Sequence, residues 1–114
     1  MRPPLTTHVL DVQNGVPAAG VEVRLFAESD PATAAPLASG VTNADGRIDD
    51  WLEGIGLVPG VYRLEFDTGP YFAAQGVEAF HPGVVVRFSY RDDGRHHHVP
   101  VLVSAFGYTT YRGS

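Results

Sequence analysis

The run His96-His97-His98-Val99-Pro100-Val101-Leu102-Val103-Ser104 carries the densest strand pattern of the chain. In an extended backbone successive side chains point to opposite faces. His97 therefore falls in phase with Val99, Val101 and Val103, a stripe suited to a core, while His96 and His98 share the other face with Pro100 and Leu102. This one run predicts a half-buried strand that holds two imidazoles on the face away from the core.

Working outward, the same chemistry repeats. Upstream lie the turn Arg91-Asp92-Asp93-Gly94 and a strong strand over Val84 to Tyr90; downstream, Tyr108 to Arg112 reads as a last strand. Val61 to Asp67 alternates, with Tyr62, Leu64 and Phe66 opposite Val61, Arg63, Glu65 and Asp67. Leu5 to Val12 is stopped by the turn dipeptide Asn14-Gly15, and Val21 to Phe26 places Val21, Val23 and Leu25 on one face. Leu37 to Thr42 leads into the turn Asn43-Ala44-Asp45-Gly46, after which Arg47 opens a further short strand towards Trp51. The stretches 29–36 and 54–60 read as loops. Thr68 to Gly76 reads as a helix of about two turns, with Thr68 as a possible cap, Pro70 near the first position and Gly76 as the stop. Seven or eight strands with one short helix predict a mainly β protein, a two-sheet sandwich. The edges of so small a sandwich are expected to pair with another copy, so an oligomer is predicted.

Composition bounds the function. The chain has 114 residues, so one domain is expected over 1–114. All eight cationic side chains are Arg and thirteen side chains are acidic, for a net charge of -5 with the five His neutral. That balance speaks against a nucleic-acid partner, which needs clustered cations. The absence of Cys removes disulfides, a thiol nucleophile and a cysteine-based zinc site. Apolar runs such as 83–86 are far below the roughly 18 residues that span a bilayer, so a soluble chain with no membrane partner is expected. Met1-Arg2-Pro3-Pro4 lacks the apolar stretch of a secretory signal, which predicts a cytoplasmic location. Neither a G-x-S-x-G elbow nor an H-E-x-x-H pair occurs, and Gly54-x-Gly56 lacks the third Gly and the helix of a phosphate cradle.

What remains is the distribution of His and Arg. His96 and His98, at i and i+2 on one strand face, could take a divalent metal or could be a solvated strand end. His8 stands in a strand with apolar residues in both phases, so its facing is open, and a His satisfied by neighbouring Thr hydroxyls is one reading. Arg47 would by default be a surface cation paired with Asp49 or Asp50, a contact worth about 0 to 1 kcal/mol. Tyr108-Thr109-Thr110-Tyr111-Arg112-Gly113-Ser114 keeps strand-forming residues almost to the last position, where most chains fray, so something orders that end.

These residues carry a resemblance. Leu5-Thr6-Thr7-His8-Val9-Leu10-Asp11, Thr42-Asn43-Ala44-Asp45-Gly46-Arg47, Tyr71-Phe72, Phe80-His81-Pro82 and the tail from His96 to Ser114 together resemble the transthyretin-related hydrolases over essentially the whole chain. The terminal Tyr-Arg-Gly-Ser is the most specific mark, since the hormone-carrying transthyretins share the fold but lack that ending. The resemblance implies a transthyretin-like sandwich assembled as a homotetramer, a dimer of dimers with its sites where dimers meet. It also implies hydrolysis of 5-hydroxyisourate, the first product of urate oxidation, to 2-oxo-4-hydroxy-4-carboxy-5-ureidoimidazoline, with no cofactor and no metal. By the same resemblance His8, Arg47, His98 and Ser114 are expected to be catalytic, and His8, Arg47, Tyr111, Arg112 and Ser114 to contact substrate. His98 would activate water, His8 would share or relay the proton, Arg47 would stabilise developing negative charge, and His96 would have a supporting role at most. His97 departs from the family, which usually has Tyr there, and its opposite facing marks it as a packing variation. Three other readings stand beside this one. A transthyretin-like carrier without chemistry is opposed by the Tyr-Arg-Gly-Ser ending together with His8, Arg47 and His98. A metal-binding sandwich would use His96 and His98, and a structural sandwich would leave its His and Arg as surface groups.

Overall fold

Alternation of β-branched and aromatic residues with polar ones builds most of the chain into strands. A computed structural model describes residues 4–28, 35–49, 51–52 and 54–113. In chain order these form β1 (Leu5–Asp11), β2 (Val16–Pro17), β3 (Glu22–Ala27), β4 (Ala38–Val41), β5 (Gly60–Asp67), α1 (Thr68–Ala73), β6 (Val84–Tyr90), β7 (His97–Val103) and β8 (Tyr108–Thr110). Two four-stranded sheets result, with strand orders β2-β1-β7-β8 and β4-β3-β5-β6. The expected sandwich of seven or eight strands with one short helix is thus the observed architecture.

The first sheet positions the site. Its central pair, β1 and β7, is parallel, with Thr6 opposite His98 and His8 opposite Pro100; the other paired strands are antiparallel. Leu5, Val9, Val99, Val101 and Val103 turn inward and meet Val23, Leu25, Leu64, Phe66 and Val84 of the second sheet in one apolar core. His97 follows the inward phase and is only 4% exposed, as alternation predicts. Pro100 lies beyond the β8 pairing, which takes up only Val101 to Val103. Its missing N–H therefore interrupts no ladder bond on that side.

Three local expectations shift. Arg47 opens no strand: it makes one isolated bridge to His8, because the chain there folds around Asn43. The Asn43 side chain accepts from the N–H groups of Asp45 and Arg47 at 2.9 and 3.1 Å. Thr68 does not cap α1; it is the buried first residue, and Asp67 precedes it with no side-chain cap bond. The last strand stops at Thr110 rather than Arg112, and the tail then runs back along β7, where the Gly113 N–H donates to the His98 carbonyl at 2.8 Å.

Candidate active site

The outward face of the first sheet brings together His8, His96 and His98. On β1 the residues Leu5, Thr7, Val9 and Asp11 are buried while Thr6 and His8 look out. Parallel register sets Thr6 beside His98, and the Thr6 hydroxyl oxygen lies 2.8 Å from His98 Nδ1 and 2.7 Å from His96 Nε2. The His96 and His98 rings stack with centroids 6.2 Å apart.

His8 is fixed from the neighbouring turn. Its Nε2 lies 2.8 Å from the Asp45 carbonyl; a carbonyl only accepts, so Nε2 carries the proton and Nδ1 of the neutral ring is bare. The Val9 N–H donates to the Gly46 carbonyl at 2.8 Å, which clamps the turn onto β1 beside Arg47. Gly46 makes the clamp possible: its φ is +74°, and a Cβ there would stand 2.3 Å from the Val9 carbonyl oxygen.

Arg47 is exposed. Arg24 pairs with Glu22 and Asp67, Arg63 with Glu65 and Arg87 with Glu28, whereas Arg47 pairs with no described carboxylate. The expected partner Asp49 instead accepts from the Asn43 amide at 3.2 Å, and Asp50 lies outside the described residues. The charge of Arg47 reaches His98. Burial, then the charge of Arg47 and repulsion from His96 and His8 whenever they are protonated, outweigh an opposing hydrogen bond at Thr6 and push His98 below the ordinary imidazole value.

The tail closes on the same ring. A Cβ on Gly113 would come within 2.5 Å of His98 Cδ2, so only Gly lets the tail lie against this imidazole. Tyr111 and Arg112 border a cavity of about 300 Å³ that also takes in Val86, Phe88, His97 and His98. Arg112 is also near enough to Asp93 that, after the Arg95 N–H and His97, it helps hold that carboxyl below the usual carboxylate range. Ser114 lies outside the described residues. His97 is occupied in packing: Nδ1 is 3.0 Å from the Arg95 carbonyl, Nε2 accepts from the Arg91 N–H at 3.3 Å, and the ring lies 4.6 Å from that of Tyr90.

His8, Arg47 and His98 therefore converge on one face. Thr6 went unmarked in the sequence because its link to His96 and His98 depends on strand register across the chain; its only local sign was the two-residue spacing from His8. Among the described residues no group of three or more His, Cys, Asp and Glu could hold a metal ion, and no helix is long and apolar enough to cross a membrane.

A small β-sandwich with an imidazole and guanidinium cluster on its outer face defines the class. The chain belongs to the HIUase/Transthyretin family, whose model matches residues 5–113. It is 44% identical over 112 residues to the 5-hydroxyisourate hydrolase of Mus musculus, with 97% of this chain and 95% of that protein covered. The structure of Klebsiella pneumoniae 5-hydroxyisourate hydrolase superposes with a TM-score of 0.82 at 40% identity, covering 96% of this chain and 98% of that one. Sea bream transthyretin in complex with thyroxine superposes with a TM-score of 0.89 at 34% identity, covering 97% and 95%. Because backbone likeness extends to a hormone-bound protein as well as to an enzyme, the fold does not separate carrier from catalyst; the side chains of the site must do so.

Proposed function

We propose that this chain is an enzyme that hydrolyses 5-hydroxyisourate in urate degradation. The observation that carries the reading is the convergence of His98, His8 and Arg47 on one sheet face, with His98 biased towards its uncharged form. An uncharged imidazole can take a proton from water at neutral pH. The resulting hydroxide adds to the lactam carbonyl of the substrate, the ring C–N bond breaks, and the departing nitrogen receives the proton held on the imidazole. Water is consumed and a carboxylic acid is formed, which gives up its proton to solvent at neutral pH. Arg47 faces the oxygen that becomes negative as water adds, and its planar fork suits that charge. His8, bare at Nδ1, shares the proton with His98.

Ser114, Tyr111 and Arg112 belong to the same proposal, with Ser114 positioning water or substrate and the other two forming the wall next to His98. So do the single domain over 1–114, which the chain length supports, the homotetramer, which the family resemblance supports, and the cytoplasmic location, which rests on the lack of a secretory-signal pattern at Met1-Arg2-Pro3-Pro4. A covering subunit would desolvate the outward His98 face and strengthen every charge interaction on it.

Uricase can generate 5-hydroxyisourate in the cuvette, and the ultraviolet decay of the intermediate is then followed with and without this protein. Faster decay is expected; unchanged decay would overturn the enzyme reading, and binding of an aromatic ligand in its place would favour the carrier. His98→Ala and Arg47→Ala are each expected to lose most of the rate while still assembling, and wild-type rates in both would discard their assigned roles.

A further inference from the structure

One hydroxyl serves two imidazoles in this site, and that constrains where their protons sit. A Thr hydroxyl has one hydrogen to give and two lone pairs to accept with. Thr6 Oγ1 is within hydrogen-bond distance of both His98 Nδ1, at 2.8 Å, and His96 Nε2, at 2.7 Å, and a single hydrogen cannot satisfy both by donation. If the hydroxyl donated to His98, the neutral ring would carry its proton on Nε2 and have no lone pair left there. If His98 donates to the hydroxyl, Nδ1 is protonated and Nε2 is bare.

Only the second arrangement survives a proton-transfer cycle unchanged. When Nε2 takes up a proton, the Nδ1–H bond to Thr6 persists and is strengthened by the charge. In the first arrangement, protonation would set two hydrogens against each other and break the bond. The backbone holds Thr6 to the task, since Thr6 and His98 are opposed in the parallel β1–β7 ladder, and a β-branched side chain is stiff at χ1.

We propose that Thr6 is a positioning residue for His98: its hydroxyl, shared with His96, keeps the His98 proton on Nδ1 and leaves Nε2 bare towards the reacting water. The role of the water and the choice of tautomer rest on the hydrolase reading above, whereas the hydroxyl shared between the two rings does not.

The test uses the full chain labelled with ¹⁵N at His, with imidazole nitrogen shifts read above the His98 titration. His8 on β1, Arg47 from the turn and His96 ahead of β7 all bear on His98, so the spectra are assigned with His8→Gln and His96→Gln variants. Wild-type His98 is expected to show a protonated Nδ1 and a bare Nε2. Thr6→Val, which keeps the shape but removes the hydroxyl, is expected to shift His98 towards Nε2–H. It should also lower kcat about tenfold with KM within about twofold, the scale of one lost hydrogen bond, and move the acid limb of the rate profile; Thr6→Ser restores all three. A proton found on Nε2 in the wild type, which requires no variant to fold, would overturn the proposal, as would Thr6→Val leaving tautomer and profile unmoved. If the wild type fails to hydrolyse 5-hydroxyisourate while His98 shows a Thr6-dependent Nδ1–H, the hydrolase reading falls and the positioning role stands.

Discussion

His98 is acted on from several sides, and the balance favours its neutral form even though a hydrogen bond at Thr6 acts the other way. Burial and the charges of Arg47, His96 and His8 all disfavour its cation, so the unfolded chain binds a proton there more readily than the folded one. Stability from this group is full above the ordinary imidazole value of about 6.5 and declines as pH falls below it. The rate is expected to follow the folded group: kcat/KM should be level through neutrality and drop only below that ordinary value. A profile whose acid limb lies above the ordinary value would contradict the placement. Gly46 tests the turn that fixes His8. Gly46→Ala meets both a φ of +74° and a backbone oxygen at 2.3 Å, so a loss of about 1 to 3 kcal/mol in chemical denaturation is expected, with reduced activity. Gly15→Ala is the comparison, since its φ is +73° but nothing lies within 4 Å of the added carbon; an equal loss there would show that backbone strain alone is responsible.

At the scale of elements, α1 is held to the first sheet through Asp11. Burial alone would raise this carboxyl, but donors from the Asn14 amide, the Tyr71 hydroxyl and the N–H groups of Asn14 and Gln13 outweigh it and keep the group below the usual carboxylate range. The Tyr71 hydroxyl donates at 2.7 Å. Stability from Asp11 is therefore present above about pH 3.9 and lost as pH falls through the lower folded value. Tyr71→Phe is expected to cost about 1.5 to 3 kcal/mol at pH 7, the range for bonds to charged groups, and less at low pH. A pH-independent loss would show that ring packing, not the hydroxyl, matters.

Elements whose pattern is local were legible in the sequence. Alternation in Val61–Asp67 and Val84–Tyr90 suffices for β5 and β6, and the phase of His97 with Val99, Val101 and Val103 placed it inward. β2 was not legible, because two residues cannot show a period. Arg47 was misplaced on a strand because the Asn43 side chain, rather than a neighbouring backbone, takes up its N–H. At the site, His8, Arg47 and His98 were nameable through the family resemblance, but their convergence required the parallel register of β1 with β7, which no local pattern encodes.

Over the whole molecule, an acidic chain presents a cationic spot. With a net charge of -5, long-range attraction for an electron-rich ureide is weak, and binding should depend on the short-range field of Arg47 and its His neighbours. Raising the salt from 0.05 to 0.5 M is expected to change KM only a fewfold, since these contacts are shorter than the Debye length of about 10 Å at 0.1 M. A KM that climbed by orders of magnitude would point to long-range steering. Phe106 is 78% exposed and Phe80 is 72% exposed, apolar surface suited to a covering copy. Under the proposed homotetramer, activity per chain should fall on dilution in step with dissociation seen in sedimentation, and a fully active monomer would refute the role given to assembly.

The bond between Thr6 and His98 joins residues 92 apart in sequence. During synthesis β1 emerges early and waits for its parallel partner until nearly all of the chain has left the ribosome, so a nascent chain ending before β7 has neither the centre of its first sheet nor its imidazole cluster. Closure over such a separation is slow, on the order of milliseconds to seconds for β-rich topologies. The imidazole cluster therefore cannot form before the centre of the first sheet does.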